Sequence, residues 1–107
     1  MEEDNSFLSL DIQTIDFVTG IFSALSDPTR FKLMYMLLQR ECTVQQINEV
    51  LPISQAAISQ QLKRLRLQGL VRYQKEGQYH IYSYTNEHVM RLFTEAIRIA
   101  EKKEPIQ

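Results

Sequence analysis

One cysteine and three glycines in 107 residues exclude several kinds of protein at the outset. A single thiol cannot close an internal disulfide, so a reducing cytoplasm is the expected setting. No glycine-rich phosphate loop occurs, and neither does a paired His/Cys or His/Asp cluster. The hydroxyls of Ser54 and Ser59 have no histidine base nearby in sequence. Catalysis is therefore not expected, and no cofactor is called for. No apolar run approaches the roughly 18 residues that cross a bilayer, so no membrane partner is expected. The opening residues, MEEDNSF, are acidic where a secretory leader would be positively charged. Repeats, low-complexity tracts and Pro/Gly/Ser-rich linkers are absent. This length accommodates one domain, 1–107, with 1–9 expected as a flexible acidic arm and 103–107 as a tail.

What is present is close to the globular average, with 44% apolar and 23% charged residues, which argues against a disordered chain. The net charge is −1, but it is unevenly spread. Residues 1–16 carry Glu2, Glu3, Asp4, Asp11 and Asp16 and no positive side chain. Residues 60–82 carry Lys63, Arg64, Arg66, Arg72 and Lys75 against Glu76 alone. Affinity for nucleic acid follows the local field at the phosphates rather than the total, so this stretch is compatible with DNA. A solvated basic face is the plainer explanation of such a run taken alone.

The periodicity predicts four helices, a hairpin and a last helix. Ile12, Ile15, Val18, Ile21, Phe22 and Leu25 fall at helical spacing over residues 10–25. Asp27 is a good N-cap and Pro28 fits the first helical position, opening a helix to about Gln39 that is apolar almost all round. A short helix runs from Thr43 to about Val50, stopped by Pro52. Ser54 caps a longer helix to about Gln68 whose core stripe is Ile58, Leu62 and Leu65, and Gly69 suits its left-handed end. The period then changes to two. Residues 71–75 and 78–84 read as strands about a Glu76-Gly77 turn. From Asn86, the residues Val89, Leu92, Phe93, Ala96, Ile97 and Ala100 follow the helical template, and Lys102 and Lys103 suit the helix's negative end.

The expected fold is thus mainly α with a small β-hairpin, a winged helix-turn-helix in α-α-α-α-β-β-α order. A helix enters the major groove with a polar outward face, because base edges there are donors and acceptors. Gln55 and Gln60 can pair bidentately with adenine, and Ser59 can reach either kind of base edge. Ser54 and Ala56 stand at the start of the same helix, whose positive end can face a phosphate. Lys63, Arg64 and Arg66 read as phosphate clamps that fix register without reading sequence, and Lys75 and Gln78 flank the tip of the wing. Winged helices also serve as protein–protein interaction modules, and this reading stays open on the pattern alone.

Ala24-Leu25-Ser26-Asp27-Pro28-Thr29-Arg30 closely resembles the opening motif of the ArsR/SmtB family of repressors. Ile53 to Lys63 is similar to that family's recognition helix, and Gly69-Leu70-Val71 with Lys75-Glu76-Gly77-Gln78 to its wing. The likeness runs from about Ile15 to Ile99. It implies a homodimer built from the first and last helices, binding a two-fold symmetric operator on double-stranded DNA and released when a signal alters the dimer. The residues point to a dimer independently. Both terminal helices carry more apolar surface than one small core needs, with Met90 and Ile99 lying off the last helix's stripe. Ile15, Val18, Phe22, Val89, Leu92, Phe93, Ala96 and Ile97 are the expected dimerisation residues.

The releasing signal is expected to be an unidentified inducer, and the resemblance raises metal sensing as the alternative. One family site uses a Cys-x-Cys pair. In the matching stretch, residues 41–46, Thr43 and Gln45 hold the ligand positions and Cys42 is one residue off register. The other site pairs an Asp-x-His with two later ligands. Its counterparts are Asn86, His88, Ile99 and Lys102, of which only His88 is a ligand type. No metal is expected at either standard site. A non-standard one could be assembled from Glu87, His88, Glu95 or Glu101 with the acidic N-terminus of the other subunit. Cys42 is a redox candidate on the expectation of partial exposure and of a pKa lowered by the following helix. A small residue filling space is its plainer role.

Overall fold

The computed structural model describes residues 9–103, so all but residue 9 of the expected acidic arm (1–9) and all but residue 103 of the expected tail (103–107) lie outside the described residues. The elements are α1 (Ile12–Leu25), α2 (Pro28–Gln39), α3 (Val44–Val50), α4 (Gln55–Leu67), β1 (Val71–Glu76), β2 (Tyr79–Tyr84) and α5 (Glu87–Glu101). This is the expected order. Polar caps set the helix starts. Asp11 accepts the N–H of Thr14 at 2.7 Å, which holds its carboxyl below the usual range. Asp27 accepts the N–H of Arg30 at 3.0 Å ahead of Pro28. Thr43 and Gln46 form a reciprocal capping box, so Thr43 lies outside α3 rather than inside it.

The strands pair antiparallel from Val71↔Tyr84 to Glu76↔Tyr79. Glu76 belongs to β1, so the loop is Gly77-Gln78 rather than Glu76-Gly77. Gly77 has φ +61 while Gln78 does not have positive φ, the pattern of a two-residue hairpin turn that needs glycine at its first central position. A third segment joins the sheet. Cys42 donates its N–H to the Tyr82 carbonyl at 3.1 Å and accepts the Tyr82 N–H at 2.7 Å, an isolated bridge on the free side of β2.

The core gathers Leu33, Met34 and Leu37 of α2, Ile47 of α3, Ile58, Leu62 and Leu65 of α4, and Leu70, Val71 and Tyr82 of the hairpin region. Full burial of each aliphatic side chain contributes about 1.5–3 kcal/mol relative to exposure. α2 lies at the centre as expected, although Lys32 and Tyr35 face solvent and Arg30 is buried. At the other extreme, α1 contributes only Ala24 to the buried set, and Ile12, Ile15, Phe17, Val18 and Phe22 remain exposed. Among the described residues, no helix is long and apolar enough to cross a membrane.

Candidate nucleic-acid interface

α4 is placed by both its ends and one narrow face. Ser54 accepts the N–H of Ala57 at 3.1 Å. The turn before it is held by Asn48, whose side-chain amide donates to the Ile53 carbonyl. At the far end Gly69 takes φ +74. Its N–H donates to the Arg66 carbonyl at 2.9 Å, and the N–H of Leu70 reaches the Leu65 carbonyl at 3.0 Å. These are the two bonds of a Schellman motif. The chain thereby passes directly from α4 into β1, which fixes the hairpin beside the helix.

With Ile58, Leu62 and Leu65 fully buried, the helical period of about 100° per residue decides what faces outward. Ala56, Gln60 and Lys63 point away from the core, joined by Leu67, 70% exposed, which the polar pattern does not anticipate. Ser59 and Arg66 lie on the flank toward the hairpin, and Gln55 borders it. Arg64 lies on the opposite flank with Gln61. Ser54, Gln55, Ala56, Ser59, Gln60, Lys63 and Arg64 are all exposed. The proposed base readers and clamps therefore share one continuous surface, although Ser54 already uses its oxygen as a cap.

Lys75 and Gln78 are exposed at the hairpin tip. The hairpin is braced against α4 by an aromatic stack. The Arg66 guanidinium lies 5.2 Å from the Tyr73 ring centroid, and Tyr73 stacks on His80 at 4.1 Å with 16° between planes. Arg66 thus packs on the wing while staying exposed to solvent. Between helix and wing runs a cleft of about 250 Å³ lined by Thr43, Gln45, Ser59, Gln78, His80 and Tyr82. Sequence spacing alone does not bring α3's start to this cleft, because the contact depends on how the two helices cross.

The expected dimer residues divide. Val89 and Phe93 are buried in the chain's own core, Phe93 at 2% exposure with its ring 5.2 Å from that of Phe31. So buried, they offer a second chain little surface of their own. Ile15, Val18, Phe22 and Ala96 are exposed, and Leu92 and Ile97 half-buried. An apolar groove of about 250 Å³ between α1 and α5 is lined by Phe22, Leu25, Phe31, Leu92 and Ala96.

The residues do not fit the family's metal sites. The Thr43 hydroxyl accepts the Gln46 N–H at 3.2 Å, and Ile99 offers no donor atom. Among the described residues no three His, Cys, Asp or Glu side chains gather. His88 is exposed in the first turn of α5, while Glu87 and Glu95 pair with Arg91 at 3.3 Å and Arg98 at 2.8 Å. Cys42 differs from expectation. It is buried, and burial pushes its thiol pKa up, only partly countered by Arg40. So buried, it lacks the exposure that a reactive thiolate needs.

Fold and surface together define a winged helix-turn-helix regulatory protein. A family model described as bacterial regulatory protein, arsR family, matches residues 27–73. The transcriptional repressor SmtB homolog of Synechocystis is 42% identical over 74 residues, 69% of this chain and 56% of that protein, so the chain spans less than two thirds of that relative. The HTH-type transcriptional regulator NmtR of Mycobacterium tuberculosis is 34% identical over 92 residues, 86% of this chain and 77% of that protein. The solved homodimeric winged helix-turn-helix DNA-binding domain from Mycobacterium bovis superimposes with a TM-score of 0.81 at 26% identity, covering 94% and 89% of the two chains. The chain belongs to the arsR family of bacterial regulatory proteins.

Proposed function

We propose that this protein is a cytoplasmic homodimer that binds a two-fold symmetric DNA operator as a transcriptional repressor and is released by a signal yet to be identified. The observation that carries this reading is the outward face of α4. Gln55, Ser59 and Gln60 present amide and hydroxyl groups beside Lys63 and Arg64, on a helix capped at both ends and flanked by the wing. Amides and hydroxyls can read base edges, and the cations fix register on phosphates. The exposed apolar residues of α1 and the groove beside α5 support pairing with a second copy, which presents two recognition helices related by a two-fold axis.

The test uses a duplex selected by the wild-type protein from a random-sequence library. Gln60→Ala should weaken binding to that duplex by about 1–3 kcal/mol and leave random DNA nearly unaffected. An equal loss on both would remove Gln60 as a base reader. Binding should also fall steeply with salt, each neutralised phosphate adding about −0.9 to the slope of log K against log salt. A flat salt dependence would instead indicate a protein-docking module.

A further inference from the structure

We propose that Arg30 is a positioning residue for the recognition helix, setting α4 from the carbonyl end of α1 so that operator discrimination depends on it. This rests on the reading that α4 enters the groove. Arg30 is the one buried charged residue described, at 9% exposure, and no carboxylate pairs with it among the described residues. Its guanidinium instead joins two helices. Nε donates to the Ala24 carbonyl in the last turn of α1, and a terminal nitrogen donates to Gln61 Oε1 of α4 at 3.0 Å.

Packing alone does not require this arrangement. Apolar residues of similar volume commonly fill such a space at no loss of stability, because a buried cation must give up its hydration. What arginine supplies is a planar fork with donors on separate nitrogens, able to hold two partners at a fixed separation. The negative end of α1 offsets part of the desolvation. The same two helices touch again further along. The Gln68 side chain lies so close over Gly20 that a Cβ there would stand 2.8 Å from its Oε1.

The core stripe of α4 is only three residues wide, which leaves rotation about that stripe weakly restrained. Arg66 stacked on Tyr73 holds one flank of the helix, and Arg30 bonded to Gln61 holds the other. Base-edge hydrogen bonds weaken steeply with misalignment, whereas long flexible cations follow a phosphate that moves. Loss of the Arg30 strut should therefore appear in discrimination before general affinity.

Gln61→Ala removes the acceptor and keeps a strong helix former. Arg30→Lys keeps the charge but cannot donate from two separated nitrogens. The probes are the library-selected duplex and a random duplex of equal length, with thermal melting and sedimentation run alongside. Gln61→Ala should weaken binding to the selected duplex by about tenfold, with random-duplex affinity and self-association unchanged. Arg30→Lys should do the same, and the double variant should lose no more than the worse single one. If Arg30→Lys does not fold, Gln61→Ala decides alone. Unchanged discrimination in Gln61→Ala, or equal loss on both duplexes, overturns the positioning role. A wild type without any duplex preference overturns the DNA reading itself.

Discussion

Cys42 and Tyr82 exchange two backbone hydrogen bonds, of 3.1 and 2.7 Å, so that the single cysteine forms an isolated bridge on the free edge of the two-stranded wing sheet. The bridge ties the segment before α3 to the middle of β2, and it buries the thiol and the phenol side by side with the core. One pairing thereby links the first helix of the helix-turn-helix to the wing.

Burial pushes the Cys42 thiol and the Tyr82 phenol up from their ordinary values, with Arg40 and Arg66 respectively opposing in part. The folded state then holds both protons more tightly than the unfolded chain. That contribution is complete below the unfolded values and is lost as pH rises through the folded ones. Melting temperature should accordingly decline above about pH 9, and Cys42→Ser should remove the thiol's share of the decline. The folded thiol should also alkylate far more slowly than in denaturant. A melting temperature flat into the alkaline range would contradict the burial.

Phe22 and Phe93 face the same groove but answer to different forces. Phe93→Ala opens the core beside Phe31 and should cost about 3–5 kcal/mol of stability. Phe22, 57% exposed, can accept a charge without disturbing its own chain. Phe22→Glu should retain the helical circular dichroism and sediment as a monomer. A dimer that survives this change would place the interface elsewhere.

Asn48 spans the turn between α3 and α4 by bonding to the Ile53 carbonyl. Asn48→Ala leaves that carbonyl without its partner and should reduce stability by about 1 kcal/mol, read by chemical denaturation. Asn48→Asp supplies no donor and should be no better.

Arg66 and Tyr73 meet on exposed surface, where a cation–π contact contributes about 0.5–1 kcal/mol. Arg66→Gln should therefore melt only slightly earlier and weaken selected and random duplexes together, as loss of a cation near DNA would. A selective loss on the selected duplex would make Arg66 a base reader.

Much of this was legible in the linear sequence because it depends on neighbours. Asp27-Pro28 and Ser54 mark helix starts through local capping, Gly69 marks an end through its left-handed backbone, and the 4-and-3 spacing of Ile58, Leu62 and Leu65 identifies the inward face of α4. The exposed set from Gln55 to Arg64 follows from that stripe. The hairpin turn slipped by one residue because Gly77 suits either register, and cross-strand pairing chooses between them.

The sequence by itself determined the element order, the helix caps and which face of α4 is polar, since each rests on interactions within a few residues. Tertiary structure decided the rest. Phe93 and Phe22 look alike in a helical pattern, and only the approach of α2 buries one and leaves the other open. Cys42 bridges to Tyr82 because β2 offered a free edge. Arg30 became a strut because its two partners, Ala24 and Gln61, lie on helices whose separation no local rule specifies.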